Sequence, residues 1–127
     1  MDITEHVKHI ASELTAGEDA SWAKDWHEEN CTTFSEEEES LEEHLDWCDL
    51  RPSAYDWLEG ALDIEYIVGS DREYRGARVL VAFGGPNIWV DTRRGVVEGH
   101  WWLDDATAAY NDALGLDDAL AEYWEVS

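Results

Sequence analysis

Ala77-Arg78-Val79-Leu80-Val81-Ala82-Phe83-Gly84-Gly85-Pro86-Asn87-Ile88-Trp89-Val90 is the stretch that decides the fold. Side chains of a strand point alternately to opposite faces, so the period here is two. Val79, Val81 and Phe83 share one face, and Leu80 and Ala82 share the other. Apolar residues on both faces suggest a strand covered on both sides. Gly84-Gly85-Pro86-Asn87 is a strong turn signal, and Ile88-Trp89-Val90 starts the returning strand.

Working outward, Ile64 to Val68 reads as an earlier strand, followed by a turn at Gly69-Ser70-Asp71. Asp91-Thr92-Arg93-Arg94-Gly95 is a loop, and Val96 to Leu103 forms another strand. Such short loops join antiparallel hairpins. His100-Trp101-Trp102 ends that strand, with its rings expected to cap the sheet. Ala106 to Tyr110 fits either a fifth strand or the start of a helix.

Helical spacing governs both ends. Ile3, Val7, Ile10 and Leu14 fall on one stripe after a capping box of Asp2 and Glu5, and Gly17 is a natural stop. A short helix begins near Ser21 with Trp22 and Trp26 one turn apart, and Cys31-Thr32-Thr33 reads as a linker. Ser35 with Glu38 forms a second capping box, opening a helix to about Cys48 with Leu41, Leu45 and Cys48 as its apolar stripe. After Pro52, Ser53 caps a helix carrying Tyr55, Leu58 and Leu62. Leu116, Leu120 and Tyr123 or Trp124 mark a closing helix, with Asp117 and Asp118 near its positive end. The expected architecture is α+β: N-terminal helices, an antiparallel sheet of four or five strands, and a C-terminal helix. One domain spans 1–127, with 18–52 as an acidic helical elaboration and 53–127 as the sheet plus closing helix.

Charge sets the functional expectations. There are 31 Asp and Glu against 8 Lys and Arg, a formal net charge of −23 over 127 residues. From Glu18 to Asp49 thirteen carboxylates face one base, Lys24, whereas five of the eight bases cluster between Arg72 and Arg94. Such a surface repels nucleic acid and anionic membranes. The 8 Trp, 5 Tyr and 2 Phe exclude a disordered acidic tail. No stretch approaches a membrane span, and the N-terminus lacks the pattern of a signal peptide. A cytoplasmic location follows as the expectation, with Cys31 and Cys48 as reduced thiols.

Catalytic patterns are weak. His27 and Cys31, one turn apart, invite comparison with a thiolate–imidazole pair, but acidic surroundings raise a thiol pKa. His6 and His9 with Glu5 offer a loose metal cluster, more simply read as a solvated helix face. Gly84-Gly85 lacks the context of a phosphate cradle, and no calcium loop is present. The expectation is a non-enzymatic protein with no cofactor and no dedicated metal site.

The acidic block is instead a candidate contact surface. A helix over 35–49 would place seven pairs of carboxylates three or four residues apart, costing on the order of 1.5–3.5 kcal/mol. Eight acids across 36–49 approach the linear charge density of B-DNA, one phosphate per ~1.7 Å. The candidate partner-binding set is Glu28, Glu29, Glu36, Glu37, Glu38, Glu39, Glu42, Glu43, Asp46 and Asp49, with Trp26 and Trp47 as apolar anchors.

Leu62-Asp63-Ile64-Glu65-Tyr66, Tyr74-Arg75-Gly76-Ala77-Arg78-Val79, Gly84-Gly85-Pro86-Asn87-Ile88-Trp89-Val90-Asp91-Thr92, Val97-Glu98-Gly99-His100-Trp101-Trp102 and Leu114-Gly115-Leu116-Asp117-Asp118 carry a resemblance. Over roughly Ser53 to Glu125 the chain resembles small acidic proteins of bacterial mobile elements, a likeness that implies context and no particular activity. In charge and size it is also similar to the DNA-mimic inhibitors that phages and plasmids deploy against CRISPR effectors and restriction enzymes. The charge leads to the expectation of a basic nucleic-acid-binding protein as partner, with no direct nucleic acid and no membrane, and self-repulsion argues for a monomer. The alternatives are an immunity protein or antitoxin neutralising a basic nuclease, and a halophile-adapted domain.

Overall fold

The computed structural model describes residues 3–20, 22–31, 40–45, 48 and 50–126. Five helices and five strands follow in the order α1 (Ile3–Ala16), α2 (Trp22–Asn30), α3 (Leu41–Leu45), α4 (Ala54–Leu58), β1 (Asp63–Val68), β2 (Tyr74–Ala82), β3 (Asn87–Asp91), β4 (Val96–Trp101), β5 (Asp104–Ala109) and α5 (Leu116–Glu125). The strands form one antiparallel meander in sequence order. This is the expected α+β class, and the ambiguous stretch after Asp104 is a fifth strand.

Register sorts the side chains. Val79 pairs with Val90, Val90 with Val97, and Ile88 with Gly99, so these residues share one face. That face carries the core, where Val79, Val90, Val97 and Ile88 meet Ile3, Val7, Ala11 and Leu14 of α1 and Leu116, Ala119 and Leu120 of α5. α1 crosses β4 and β5, and α5 lies against β2. Gly99 permits the close approach of α1, because a Cβ there would stand 2.6 Å from Val7 Cγ2 and 2.7 Å from Ile3 Cδ1.

The opposite face differs from a strand covered on both sides. Leu80, Trp89, Arg78 and Glu98 share it by register, and Leu80 and Trp89 are only half-buried. Arg78 spreads over the Trp89 ring at 4.5 Å and bonds Glu98 at 2.8 Å, so side chains of the sheet shield their own surface. A register shift between Leu80 and Ala82 ends the alternation, leaving Phe83 beyond β2 and 74% exposed.

Local rules account for the helix ends. Gly17 adopts φ +69°, which stops α1 and leads into a short 3-10 turn. The Ser53 N–H and hydroxyl both donate to Asp56 at 2.7 and 3.0 Å, fixing the start of α4. α4 stops at Leu58, and Leu62 leaves the helical pattern because its N–H joins Leu80 O at the sheet edge. The capping boxes expected from Asp2 and Ser35 lie outside the described residues. Of the helix expected over Ser35–Cys48, the described part is Ser40, which is non-helical, α3 from Leu41 to Leu45, and Cys48; the rest lies outside the described residues. Trp102 does not cap the sheet: it sits in the β4–β5 turn at φ 59° and is 90% exposed. No described helix is long and apolar enough to cross a membrane.

Candidate functional site

The described members of the acidic set stand on two neighbouring helices. Glu28 and Glu29 are exposed near the end of α2, and Glu42 and Glu43 are exposed in the first turn of α3. Ser40 Oγ accepts the Glu43 N–H at 3.2 Å, so Ser40 caps α3. Trp26 is half-buried, edge-on to His27 at 4.9 Å, and hydrogen-bonded to the Asp56 carboxyl that starts α4. Glu36, Glu37, Glu38, Glu39, Asp46, Trp47 and Asp49 lie outside the described residues. Within the described part of the block, Ser40 is non-helical and the helix begins at Leu41.

Several bases are engaged within the fold. Arg78 bonds Glu98 at 2.8 Å and Glu65 at 3.3 Å, Arg94 reaches Glu98 at 3.4 Å, and Arg75 reaches Asp71 at 3.1 Å. Arg51 donates to the backbone oxygens of Leu45 (3.3 Å), Leu50 (2.8 Å) and Cys48. With 31 acids and 8 bases, pairing every base would still leave 23 carboxylates in surplus.

Side chains of α2, α3 and the residues that follow them meet in a feature absent from the sequence-based expectations. His27 and Cys31 stand one turn apart where α2 ends, with the Cys31 N–H donating to His27 O at 2.8 Å. His44 and Cys48 repeat this arrangement where α3 ends, with the Cys48 N–H donating to His44 O at 3.0 Å. Residues four apart project from the same side of a helical turn, so each turn offers one imidazole and one thiol. All four are buried, and one donor atom from each lies within 4.8 Å of the others. The His27 and His44 rings meet edge to face with centroids 4.8 Å apart, and the two sulfurs are 4.0 Å apart. That separation is about twice a disulfide bond of ~2.05 Å.

Burial holds the His27 imidazole below its usual pKa, and the neighbouring His44 and Arg51 push it the same way. Neutral imidazole is the form that binds metal ions. Cys31, the first residue after α2, is buried, and His27–Cys31 is half of a four-residue cluster. The missed signal is the repeat His27-x3-Cys31 and His44-x3-Cys48, each unit opening with His and closing with Cys. Of the other proposed donors, His9 lies 3.0 Å from Glu13 on the α1 surface. Among the described residues the His27–Cys31–His44–Cys48 group is the one set of metal-capable side chains gathered in space. No family model, curated protein or solved structure matches this chain.

Proposed function

We propose that the protein is a non-enzymatic inhibitor that presents carboxylates in place of backbone phosphates and so blocks the nucleic-acid-binding surface of a host defence protein. The target class is a CRISPR effector or a restriction enzyme, met in the bacterial cytoplasm. The observation that carries this reading is the surplus of 23 carboxylates, with Glu28, Glu29, Glu42 and Glu43 exposed on two adjoining helices. Complementary charge speeds encounter with a basic groove and fixes the partner's orientation. A net charge this large is unfavourable for self-association, which supports a monomer.

A competition assay tests the reading. The purified chain is titrated into DNA-loaded CRISPR and restriction complexes, and release of labelled DNA is followed at rising salt. Displacement that fades steeply between 50 and 500 mM salt is expected, because exposed charges are screened over ~10 Å at 0.1 M. Failure to displace DNA from any member of the panel, or displacement indifferent to salt, overturns it.

A further inference from the structure

We propose that His27, Cys31, His44 and Cys48 are the four ligands of a structural zinc site, a tetrahedral centre that clamps α2 to α3. The inference stands apart from the inhibitor reading, since it rests on the cluster alone.

Geometry supports it first. Zinc in structural sites is four-coordinate, with bonds of about 2.3 Å to sulfur and 2.0–2.1 Å to imidazole nitrogen. A tetrahedron with those bonds places its two sulfurs about 3.8 Å apart. Cys31 and Cys48 hold theirs at 4.0 Å. All four donor atoms already lie within 4.8 Å of one another, against about 3.3–3.8 Å between the ligands of such a tetrahedron. Two thiols with two imidazoles are a donor set suited to zinc, whereas calcium and magnesium take oxygen ligands.

The surroundings argue the same way. Cys31 and Cys48 form a small buried cluster of their own, separate from the main core under the sheet. The His27 and His44 rings are fully enclosed beside them. An ordinary core would be built from aliphatic side chains, whereas this one gathers two imidazoles and two thiols out of water. A metal ion satisfies two thiolates and two imidazoles at once, and its binding free energy becomes folding free energy for a short segment. Arg51 folds back onto the carbonyls of Leu45, Leu50 and Cys48, closing the chain around the cluster. The spacing departs from zinc fingers that pair Cys with Cys and His with His, because here each helical turn supplies one of each.

The full-length chain, purified under reducing conditions and washed with excess Mg2+ to strip ions from surface carboxylates, is assayed for metal by mass spectrometry. About one zinc per chain is expected, falling at least tenfold in C31S/C48S. Cobalt exchanged into the chain should give the visible bands of a tetrahedral ion together with sulfur-to-cobalt charge transfer. Because C31S/C48S can unfold locally, H44C serves as a second variant: it keeps four donors, so it should retain the ion while the cobalt bands shift toward a three-sulfur pattern. A wild-type chain that carries no zinc and shows no thiolate–cobalt band overturns the site. Equal zinc retention by C31S/C48S overturns it too.

Discussion

The Tyr74 hydroxyl donates a 2.8 Å hydrogen bond to Asp117 Oδ1, tying β2 to the first turn of α5 across 43 residues of sequence. The acceptor carries charge and sits at the positive end of its helix, where a carboxylate is favoured. Hydrogen bonds to charged groups contribute about 1.5–3 kcal/mol, and this one is only part-buried. Tyr74→Phe should therefore lower stability by about 1–2 kcal/mol. Urea unfolding would show a lower midpoint with an unchanged slope, and a midpoint equal to wild type would refute the role.

Alkaline pH should attack the same region. Burial raises the phenols of both Tyr74 and Tyr110 well above their usual range. Asp117 adds to the effect at Tyr74, and Asp112, Asp117 and Asp91 add to it at Tyr110. A group with a raised folded pKa contributes stability that is complete below the unfolded value, about 10 for tyrosine, and is lost as pH rises beyond it. The urea midpoint should hold to about pH 9.5 and then fall. In an ultraviolet titration two of the 5 tyrosines should ionise only as the fold is lost. Free titration of all five near pH 10 would contradict this.

Asp56 works at the acid end with the opposite sign. Its carboxyl is held below the ordinary range chiefly by the Ser53 backbone N–H, with the Ser53 hydroxyl and Trp26 assisting while burial opposes them. A depressed pKa contributes stability above the unfolded value, about 3.9, that is lost as pH falls through the folded one. Asp56→Asn should cost about 1 kcal/mol at neutral pH, the scale of a lost helix cap. The gap between variant and wild type should close in urea curves taken toward pH 2. A gap that persists there would mean the charge is irrelevant.

Gly99 tests the packing of α1. A Cβ at this position would reach 2.6 Å from Val7 Cγ2 and 2.7 Å from Ile3 Cδ1, both in the buried core. Overpacking of this kind costs roughly 1–3 kcal/mol. Gly99→Ala should lower the melting temperature, and adding Val7→Ala should restore part of it despite removing core volume. If the double variant shows simple additive loss, the contact is not the cause.

The sheet was legible because a period of two and short turn signals are local properties. Each strand of the meander pairs with its sequence neighbour, so local reading and topology agree. Errors arose where one residue breaks a pattern. The register shift near Val81 freed Phe83, and Leu62 exchanged a helical position for a bond to Leu80. The charge surplus was visible in the sequence, but the start of α3 at Leu41, capped by Ser40, was not, because the expected cap falls at Ser35. The metal-capable cluster was hardest, because each half looks like an ordinary helical pair. Its meaning comes from two turns facing each other, with Cys31 and Cys48 17 residues apart.

Charge placement, as distinct from charge total, is the remaining question for function. Replacing Glu28, Glu29, Glu42 and Glu43 with Gln removes four carboxylates from α2 and α3 and leaves the cluster ligands untouched. Like charges on neighbouring turns repel, so this variant should be as stable as wild type or slightly more so. Its inhibition of a DNA-binding target should fall about tenfold or more, equivalent to ~1.4 kcal/mol, with a shallower dependence on salt. A comparison variant, with Gln at Glu59, Glu73, Glu122 and Glu125, removes the same number of exposed carboxylates from the turn after α4, the β1–β2 loop and α5. It should retain most of the inhibition. Equal loss in the two variants would show that only net charge matters and that α2 and α3 form no specific contact surface.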